Sequence, residues 1–409
     1  MERSLFPPRS RRDGPYHFGI DNTSLAPPAG GRLAALDLFR GATVAAMIFV
    51  NNPGDWGHLY WPFDHAEWHG WTPTDLIFPF FLFIVGTAGV LSLEKRSATG
   101  ATSSELARHA LTRGMTIVLV GWLMAWYPFT AGRLAHLRIP GVLPRIGLVY
   151  ALGTLVVLLS RRGSPPARSA SAPAGRLAVS VAAVLFAVAV LLLLHTLLLG
   201  WPGFDLTREG NIQRAVDLAL LKGHTWKKDW DPEGFVSTLT AIATMLTGTL
   251  AGLVLRSGKS TREKVRRLLA WGAAGFLAGE VWSLVLPINK NLWTGSYVLL
   301  TSGQAAISLG LSIFFIDVKG VRRPFGFFLA YGRNPLLVFV LSGLLAKTFG
   351  LVKWAEEGGG KVSLHGFLYR GFSWISDPTL ASHAWALATV LFWWGVMKLF
   401  DRRGWYWKV

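Results

Sequence analysis

Apolar residues in this chain gather into stretches of about twenty, the length a helix needs to cross the roughly 30 Å hydrocarbon layer of a bilayer. Polar or Gly/Pro-rich segments separate them. Ten such stretches stand out when glycine and isolated polar residues are tolerated, at approximately 36–53, 74–94, 112–128, 142–160, 177–200, 235–255, 268–286, 295–316, 325–350 and 381–400. The run RLAVSVAAVLFAVAVLLLLHTLLLG, ending at Gly200, is the clearest, and the stretch 112–128 is among the shortest. The pattern predicts an all-α, polytopic integral membrane protein with about ten transmembrane helices. Residues 1–35 are expected to form a polar N-terminal tail, 36–400 a single membrane domain, and 401–409 a C-terminal tail. Within the domain, SRRGSPPARSASAPAGR reads as a flexible tether at about 161–176. The first thirty residues have no apolar core before a small-residue cleavage site, so the first helix is expected to act as an uncleaved anchor. No repeat at a fixed period is visible, which gives an inverted-repeat transporter no support.

Composition agrees with that pattern. Only 16% of residues are charged and 51% are hydrophobic, whereas a soluble surface draws on about 25% charged residues. The formal charge of +18 would suggest nucleic acid in a soluble protein, but no basic-aromatic module or zinc spacing accompanies it, so a nucleic-acid partner is not expected. The basic residues instead divide by side. Alternate connecting segments hold 25 and 11 of the 41 Lys and Arg, and the richer set marks the cytoplasmic face of an inner, or plasma, membrane. Both termini and the tether are then cytoplasmic, and the segment 54–72 lies outside. Zero cysteines exclude disulfides, thiolate nucleophiles and Cys-bound metal, which leaves His, carboxylates, hydroxyls, amides or a bound cofactor to carry any chemistry.

The outer segment and the helix after it read NNPGDWGHLYWPFDHAEWHGWTPTDLIFPFFLFIVG. They hold His58, His65 and His69, the carboxylates Asp55, Asp64, Glu67 and Asp75, four tryptophans, and no Lys or Arg. The tryptophans suit an interfacial aromatic belt. Asp75 sits one turn into an apolar run, where an unpartnered carboxylate costs on the order of 1 to 3 kcal/mol, so it needs a partner or complements the helix dipole. His65 and His69 are four apart, the spacing of a metal pair on a helix. The Gly-, Trp- and Pro-rich sequence around them argues against a continuous helix, and no metal is expected. A histidine held by a carboxylate near a membrane-embedded cavity suits general-base catalysis better.

The blocks LAALDLFRGATVAAMIFVNNPG and FDHAEWHGWTPTDLIFPFFLFIVG, followed in order by RIPGVLPRIGLVY, WDPEGFVSTLTAIATMLTGTLAG and LPINKNLWTGSYVLLTSG, closely resemble the heparan-alpha-glucosaminide N-acetyltransferase family. These are membrane enzymes that acetylate a terminal glucosamine using acetyl-CoA. The resemblance covers nearly all of the chain after residue 32. It implies His65 as the catalytic histidine, Asn51 (or the adjacent Asn52) as the catalytic amide and Asp75 as the carboxylate ten positions after the histidine. Acetyl-CoA is the implied co-substrate, an amino sugar the acceptor, and a homodimer the assembly. The segment between Asn51 and His65 looks a few residues longer than in the lysosomal enzyme, and that enzyme's lumenal N-terminal domain has no counterpart here, so the chain looks like a minimal bacterial membrane core.

The chemistry can be reasoned apart from the name. An amine attacking a thioester must lose a proton, and the oxyanion and departing thiolate must be stabilised. His65 can take that proton, directly or after carrying the acetyl group itself, with Asp64 or Asp75 orienting it. CoA phosphates need cations, for which Arg40, Arg145 and Arg333 are candidates. Arg40 can equally pair with Asp37, and Arg145 can snorkel. Asp64, Trp68, Asn289, Lys290 and Asn291 are candidates for substrate binding, with Glu280 and Trp282 close by in sequence. The Asn289–Asn291 cluster also reads as a polar turn. Asp231 and Glu233 read as caps of the following helix, and His195 as a packed core residue. Two other functions fit the same composition: an amino-sugar permease, and acyl transfer to an envelope polysaccharide hydroxyl.

Overall fold

In lipid every backbone polar group must be satisfied within the protein, which makes helices of the apolar stretches. The computed structural model describes residues 33–161, 177–201, 203–356 and 360–407. The helices, in chain order, are α1 (Ala34–Asn51), α2 (Ile77–Ala98), α3 (Ser103–Trp126), α4 (Ala131–Ala135), α5 (Val142–Leu159), α6 (Val181–Leu199) and α7 (Ile212–Leu221). They continue as α8 (Phe235–Arg256), α9 (Thr261–Ser283), α10 (Gly295–Ile313), α11 (Gly326–Arg333), α12 (Pro335–Leu351), α13 (Leu364–Tyr369) and α14 (Pro378–Arg402). The strands β1 (Lys353–Ala355) and β2 (Lys361–Ser363) pair antiparallel, with Trp354 opposite Val362.

Among the described residues, seven helices are long and apolar enough to cross a membrane: α1, Pro73–Ala98 (a 3-10 turn leading into α2), α5, α6, α8, Gly295–Val318 (α10 and its extension) and α14. The expected span at 325–350 is two helices, α11 and α12, bent by 76° and counting as an eighth span if taken together. The break has a local cause. Asn334 leaves helical geometry at φ −131° just before Pro335, whose ring disfavours a helical residue ahead of it and removes an N–H. The stretches 112–128 and 268–286 lie in α3 and α9, which are 24 and 23 residues long. Both helices open on charged turns, with Glu105 and Arg108 in one and Arg262, Glu263 and Lys264 in the other. The expected all-α membrane architecture is therefore present, whereas composition identifies seven or eight spans among the described residues rather than ten. The segments read as an N-terminal tail and as a tether lie outside the described residues except for 33–35 and Arg161.

The centre of the bundle is the crossing of α2 and α8, where Leu82, Phe83, Met245 and Leu246 are buried. Glycine permits the approach. A Cβ on Gly86 would meet the Met245 carbonyl oxygen at 1.9 Å, and one on Gly248 would meet that of Phe83 at 2.0 Å. At one end α1 closes on α11, with Arg40 donating to Asp37 at 3.0 Å and to the Gly332 carbonyl at 3.2 Å. Arg333 ion-pairs with Asp401 there, and Asn334 donates to the Trp405 carbonyl at 2.8 Å, so the chain after α14 is tied to the bundle. At the opposite end the N-termini of α2, α5, α8, α10 and α14 converge with the loops that precede them. These parts are stitched together: Gly54 N–H to the Ser382 carbonyl early in α14 at 3.1 Å, Gly70 N–H to the Ile288 carbonyl at 2.8 Å and Ile139 N–H to the His224 carbonyl at 2.9 Å.

The packing at the central crossing predicts the cost of a side chain there. Gly248→Val should destabilise by roughly 1–3 kcal/mol or more, read as a lower unfolding midpoint in detergent. Gly132→Ala, at a position with nothing within 4 Å, should change little. Equal midpoints for the two variants would contradict the close crossing.

Candidate active site

The sequence Thr72-Pro73-Thr74-Asp75 carries its own local structure. Thr72 caps the 3-10 turn that leads into α2, Pro73 occupies its first position, and the Asp75 side chain returns to the backbone of Thr72, forming a capping box. Asp75 Oδ2 accepts from the N–H groups of Thr72 and Ala66, each at 3.1 Å, and from Thr72 Oγ1 at 3.3 Å. Its other oxygen faces His65, whose Nδ1 lies 2.7 Å away. Asp75 is 1% exposed, while 49% of the His65 side chain is open. One carboxylate thus caps a helix, closes the loop 64–75 and holds a histidine at the surface.

Lys290 completes the group. Its Nζ lies 3.1 Å from Asp75 Oδ1 and 2.9 and 3.3 Å from the two ring nitrogens of His65. Nδ1 can satisfy one partner in its plane. A buried carboxylate requires donors, so Nδ1 carries the proton toward Asp75, Lys290 donates to the same oxygen, and Nε2 keeps its lone pair. The lysine is held by a knotted turn. Leu292 N–H donates to Asn289 Oδ1 at 2.8 Å, Asn289 N–H donates to Thr294 Oγ1 at 3.0 Å, and Thr294 Oγ1 donates to the Pro287 carbonyl at 3.0 Å. Trp293 takes a left-handed φ of 53°, a conformation that surrounding structure must enforce. Its ring is clamped between Phe78 and Tyr297, with centroids at 5.1 and 5.2 Å, and its Nε1 donates to Thr244 at 3.0 Å.

The structure brings His65, Asp75 and Lys290 together and distributes the other candidates around them. Asn289 is buried and serves the turn through its Oδ1, while its Nδ2 reaches His69 at 3.3 Å. Asn291 offers its carbonyl to Gln213 at 2.9 Å. Asp64 accepts from the His65 N–H at 2.7 Å. Trp68 donates its indole N–H to the Leu206 carbonyl at 2.8 Å and packs edge-on against Trp230. Glu280 accepts from Trp71 Nε1 at 3.2 Å. At the end of α1, Asn52 folds its amide back to the Ile48 carbonyl at 2.7 Å, whereas Asn51 is exposed and no hydrogen bond joins it to the triad among the described residues.

The three arginines fall in different places. Arg40 and Arg333 belong to the ion-paired end of the bundle remote from His65. Arg145 does not snorkel. It is 2% exposed, donates to the Gly234 carbonyl at 3.0 Å and to Ser237, and lies over Trp293 at 5.1 Å. Its Nε and Nη1 have no hydrogen-bond partner among the described residues. His195 is fully buried, as a core residue would be. Asp231 departs from its expected capping role: Gly234 occupies the cap of α8, and Asp231 instead receives Arg138 in a two-pronged pair at 2.7 and 2.8 Å. Burial pushes the Asp231 carboxyl up, but those bonds outweigh it and hold it below the ordinary range.

Arg138, Gln213, Asp217 and Tyr297 were not singled out by sequence reasoning. Tyr297 donates its hydroxyl to the Asp75 carbonyl at 2.5 Å across 222 residues, a contact with no linear signature. Thr72 did have one, the Thr-x-x-Asp spacing before an apolar run. Asp217 accepts from the Phe235 N–H at 3.0 Å and so supplies a side-chain cap for α8.

The fold and site together define an all-helical polytopic membrane protein whose exposed histidine is backed by a buried carboxylate and a lysine. Residues 32–207 match the family model described as "Heparan-alpha-glucosaminide N-acetyltransferase, catalytic". The human heparan-alpha-glucosaminide N-acetyltransferase is 29% identical over 369 residues, covering 80% of this chain and 55% of that protein. The mouse protein of the same name is 28% identical, covering 82% of this chain and 57% of its own length. The chain is thus similar to the heparan-alpha-glucosaminide N-acetyltransferases and spans a little over half the length of the curated relatives it matches.

Asp217 gives this region a pH signature. Burial, reinforced by Asp231 and opposed by the Phe235 N–H and Arg145, pushes its carboxyl up from 3.8 to about 6. A raised acid contributes stability that is complete below about pH 4 and lost as the pH climbs through 6. Asp217→Asn should therefore remove a fall in the unfolding midpoint between pH 4 and 6, and should stabilise the protein at pH 7.5 by up to roughly 3 kcal/mol. An unchanged pH profile would contradict the assignment.

Proposed function

We propose that the chain is a membrane-bound acetyltransferase that moves the acetyl group of cytoplasmic acetyl-CoA to the amine of glucosamine or a glucosamine-terminated saccharide, with His65 as the base. The observation that carries this reading is the 2.7 Å contact between His65 Nδ1 and the buried Asp75, with Lys290 beside both. The names of the human and mouse relatives supply the reaction class. Acetyl-CoA, when bound, supplies the thioester.

An amino-sugar ammonium must first lose one proton to solvent and become a neutral amine. His65 Nε2, left with its lone pair by the Nδ1 contact to Asp75, then accepts the second amine proton as the new N–C bond forms and the C–S bond breaks. The imidazolium produced is stabilised through Nδ1–H by the Asp75 carboxylate, which cannot relax away because Thr72, Ala66 and the helix start hold it. The proton then passes from His65 to the departing thiolate, closing the balance. Lys290 donates to the oxyanion that develops on the acetyl oxygen. Asn51, exposed at the end of α1, is the amide we assign to orient the acceptor. The same geometry serves a route in which His65 itself carries the acetyl group.

Acceptor charge fits the surroundings. The loop around His65 has carboxylates at Asp55, Asp64 and Glu67 and no basic residue between Arg40 and Lys95, which favours a cationic amino sugar over a neutral one. Of the three arginines expected near the CoA phosphates, Arg40 and Arg333 are matched by carboxylates, whereas Arg145 retains unpartnered donors.

Acetyl-CoA should raise the unfolding temperature of the purified protein, and adding glucosamine should then release free CoA. Asp75→Asn should lower kcat by roughly 10²- to 10⁴-fold with folding retained. Accumulation of labelled sugar in proteoliposomes without acetyl-CoA, together with no stabilisation by acetyl-CoA, would favour a permease instead.

A further inference from the structure

At the end of α2 opposite Asp75, a cleft of about 560 Å³ opens between the last turn of α2 and the start of α3. Arg96, Arg108 and His109 line it together with Thr99, Thr112 and Glu105. Glu105 is committed locally: it accepts from the Thr102 N–H at 2.8 Å and the Thr102 hydroxyl at 2.9 Å in the capping box of α3. Arg96 and Arg108 form no ion pair among the described residues. They lie in one of the segments that carry the basic excess, and such segments mark the cytoplasmic leaflet, where anionic lipids concentrate.

The helix below the cleft adds a second, independent feature. Leu111, Met115, Leu119 and Leu123 are exposed at 47%, 53%, 47% and 52%. At 100° per residue, Met115, Leu119 and Leu123 fall on the same face of α3 as Arg108 and Thr112, with Leu111 at its margin. From Leu111 to Leu123 the stripe runs about 18 Å, slightly more than half of the roughly 30 Å hydrocarbon layer. A cationic head cleft continuous with an apolar track one leaflet deep matches an amphiphile with an anionic head.

We propose that this cleft is a binding site for one anionic phospholipid of the cytoplasmic leaflet. Its phosphodiester would sit between Arg96 and Arg108, and an acyl chain would lie along Met115, Leu119 and Leu123. Arginine suits that role because its planar donors match phosphate oxygens. A soluble phosphate compound would satisfy the cations but leave the stripe unused. A CoA molecule anchored there would also have to reach His65 from the far end of α2, 21 residues or about 32 Å from Asp75.

The test uses full-length protein stripped of lipid in neutral detergent, both as wild type and as His65→Ala, so that binding is read whether or not acetyl transfer occurs. Phosphatidylglycerol added to the micelles should raise the unfolding midpoint and appear as a bound adduct by native mass spectrometry, while phosphatidylcholine should do neither. Arg96→Ser/Arg108→Ser should weaken apparent affinity roughly tenfold or more. Arg96→Lys/Arg108→Lys should keep part of it, which separates lost charge from lost folding, and Arg262→Ser on α9 should leave it unchanged. Equal binding of both lipids, or binding indifferent to the Arg96/Arg108 changes, would overturn the proposal. So would stronger charge-dependent stabilisation by glycerol 3-phosphate or adenosine 3′,5′-bisphosphate than by the lipid.

Discussion

A single buried carboxylate organises the end of the bundle at which α2, α5, α8, α10 and α14 begin. Asp75 lies at the start of a membrane helix, where an isolated charge would be costly, and the fold offsets that cost by surrounding it with donors: two backbone N–H groups, the Thr72 hydroxyl, the His65 ring and the Lys290 ammonium. These donors come from separate parts of the chain. The Thr72 contacts start the helix, the Ala66 contact closes the loop, and Lys290 brings in the turn before α10 from more than two hundred residues away. Removing the side chain would leave all of these groups without a common acceptor.

Two further arrangements make that geometry stiff. Below it, the α2–α8 crossing is locked by backbone contact at Gly86 and Gly248, so the helix carrying Asp75 has little freedom to shift. Beside it, the turn carrying Lys290 is pinned by Asn289, Thr294 and the buried Trp293. The segment 203–234, which includes α7, braces this turn through Gln213, which bonds the Asn291 carbonyl, and through the Arg138–Asp231 pair. A base held this way loses little orientation entropy when it acts, the condition under which positioned groups contribute most to a reaction.

Much of this was legible in the sequence where the signal was local. Helices follow from apolar stretches, and Asp75 stood out because a carboxylate in an apolar run demands a partner. The Thr72–Asp75 capping box is written in four consecutive residues. The number of spans was less legible, because α3 and α9 mix charged turns with apolar ones and because Asn334-Pro335 breaks what reads as one run into two. Distant pairings left no linear trace. Neither Arg138 with Asp231 nor Tyr297 with the Asp75 carbonyl is encoded by spacing, and Asp231 read as a helix cap because its neighbours, Pro232 and Gly234, look like a helix start. Asn289 illustrates a subtler limit: a polar turn and a site-forming turn have the same composition, and here one residue belongs to both.

The central claim is that His65, oriented by Asp75, is the base for acetyl transfer. The most direct measurement is the rate of CoA release from acetyl-CoA by purified His65→Ala in the presence of glucosamine, with and without added imidazole. The account predicts loss of turnover in the variant and partial recovery with imidazole, which supplies the missing base to a site otherwise intact. Full turnover by His65→Ala without imidazole would contradict it.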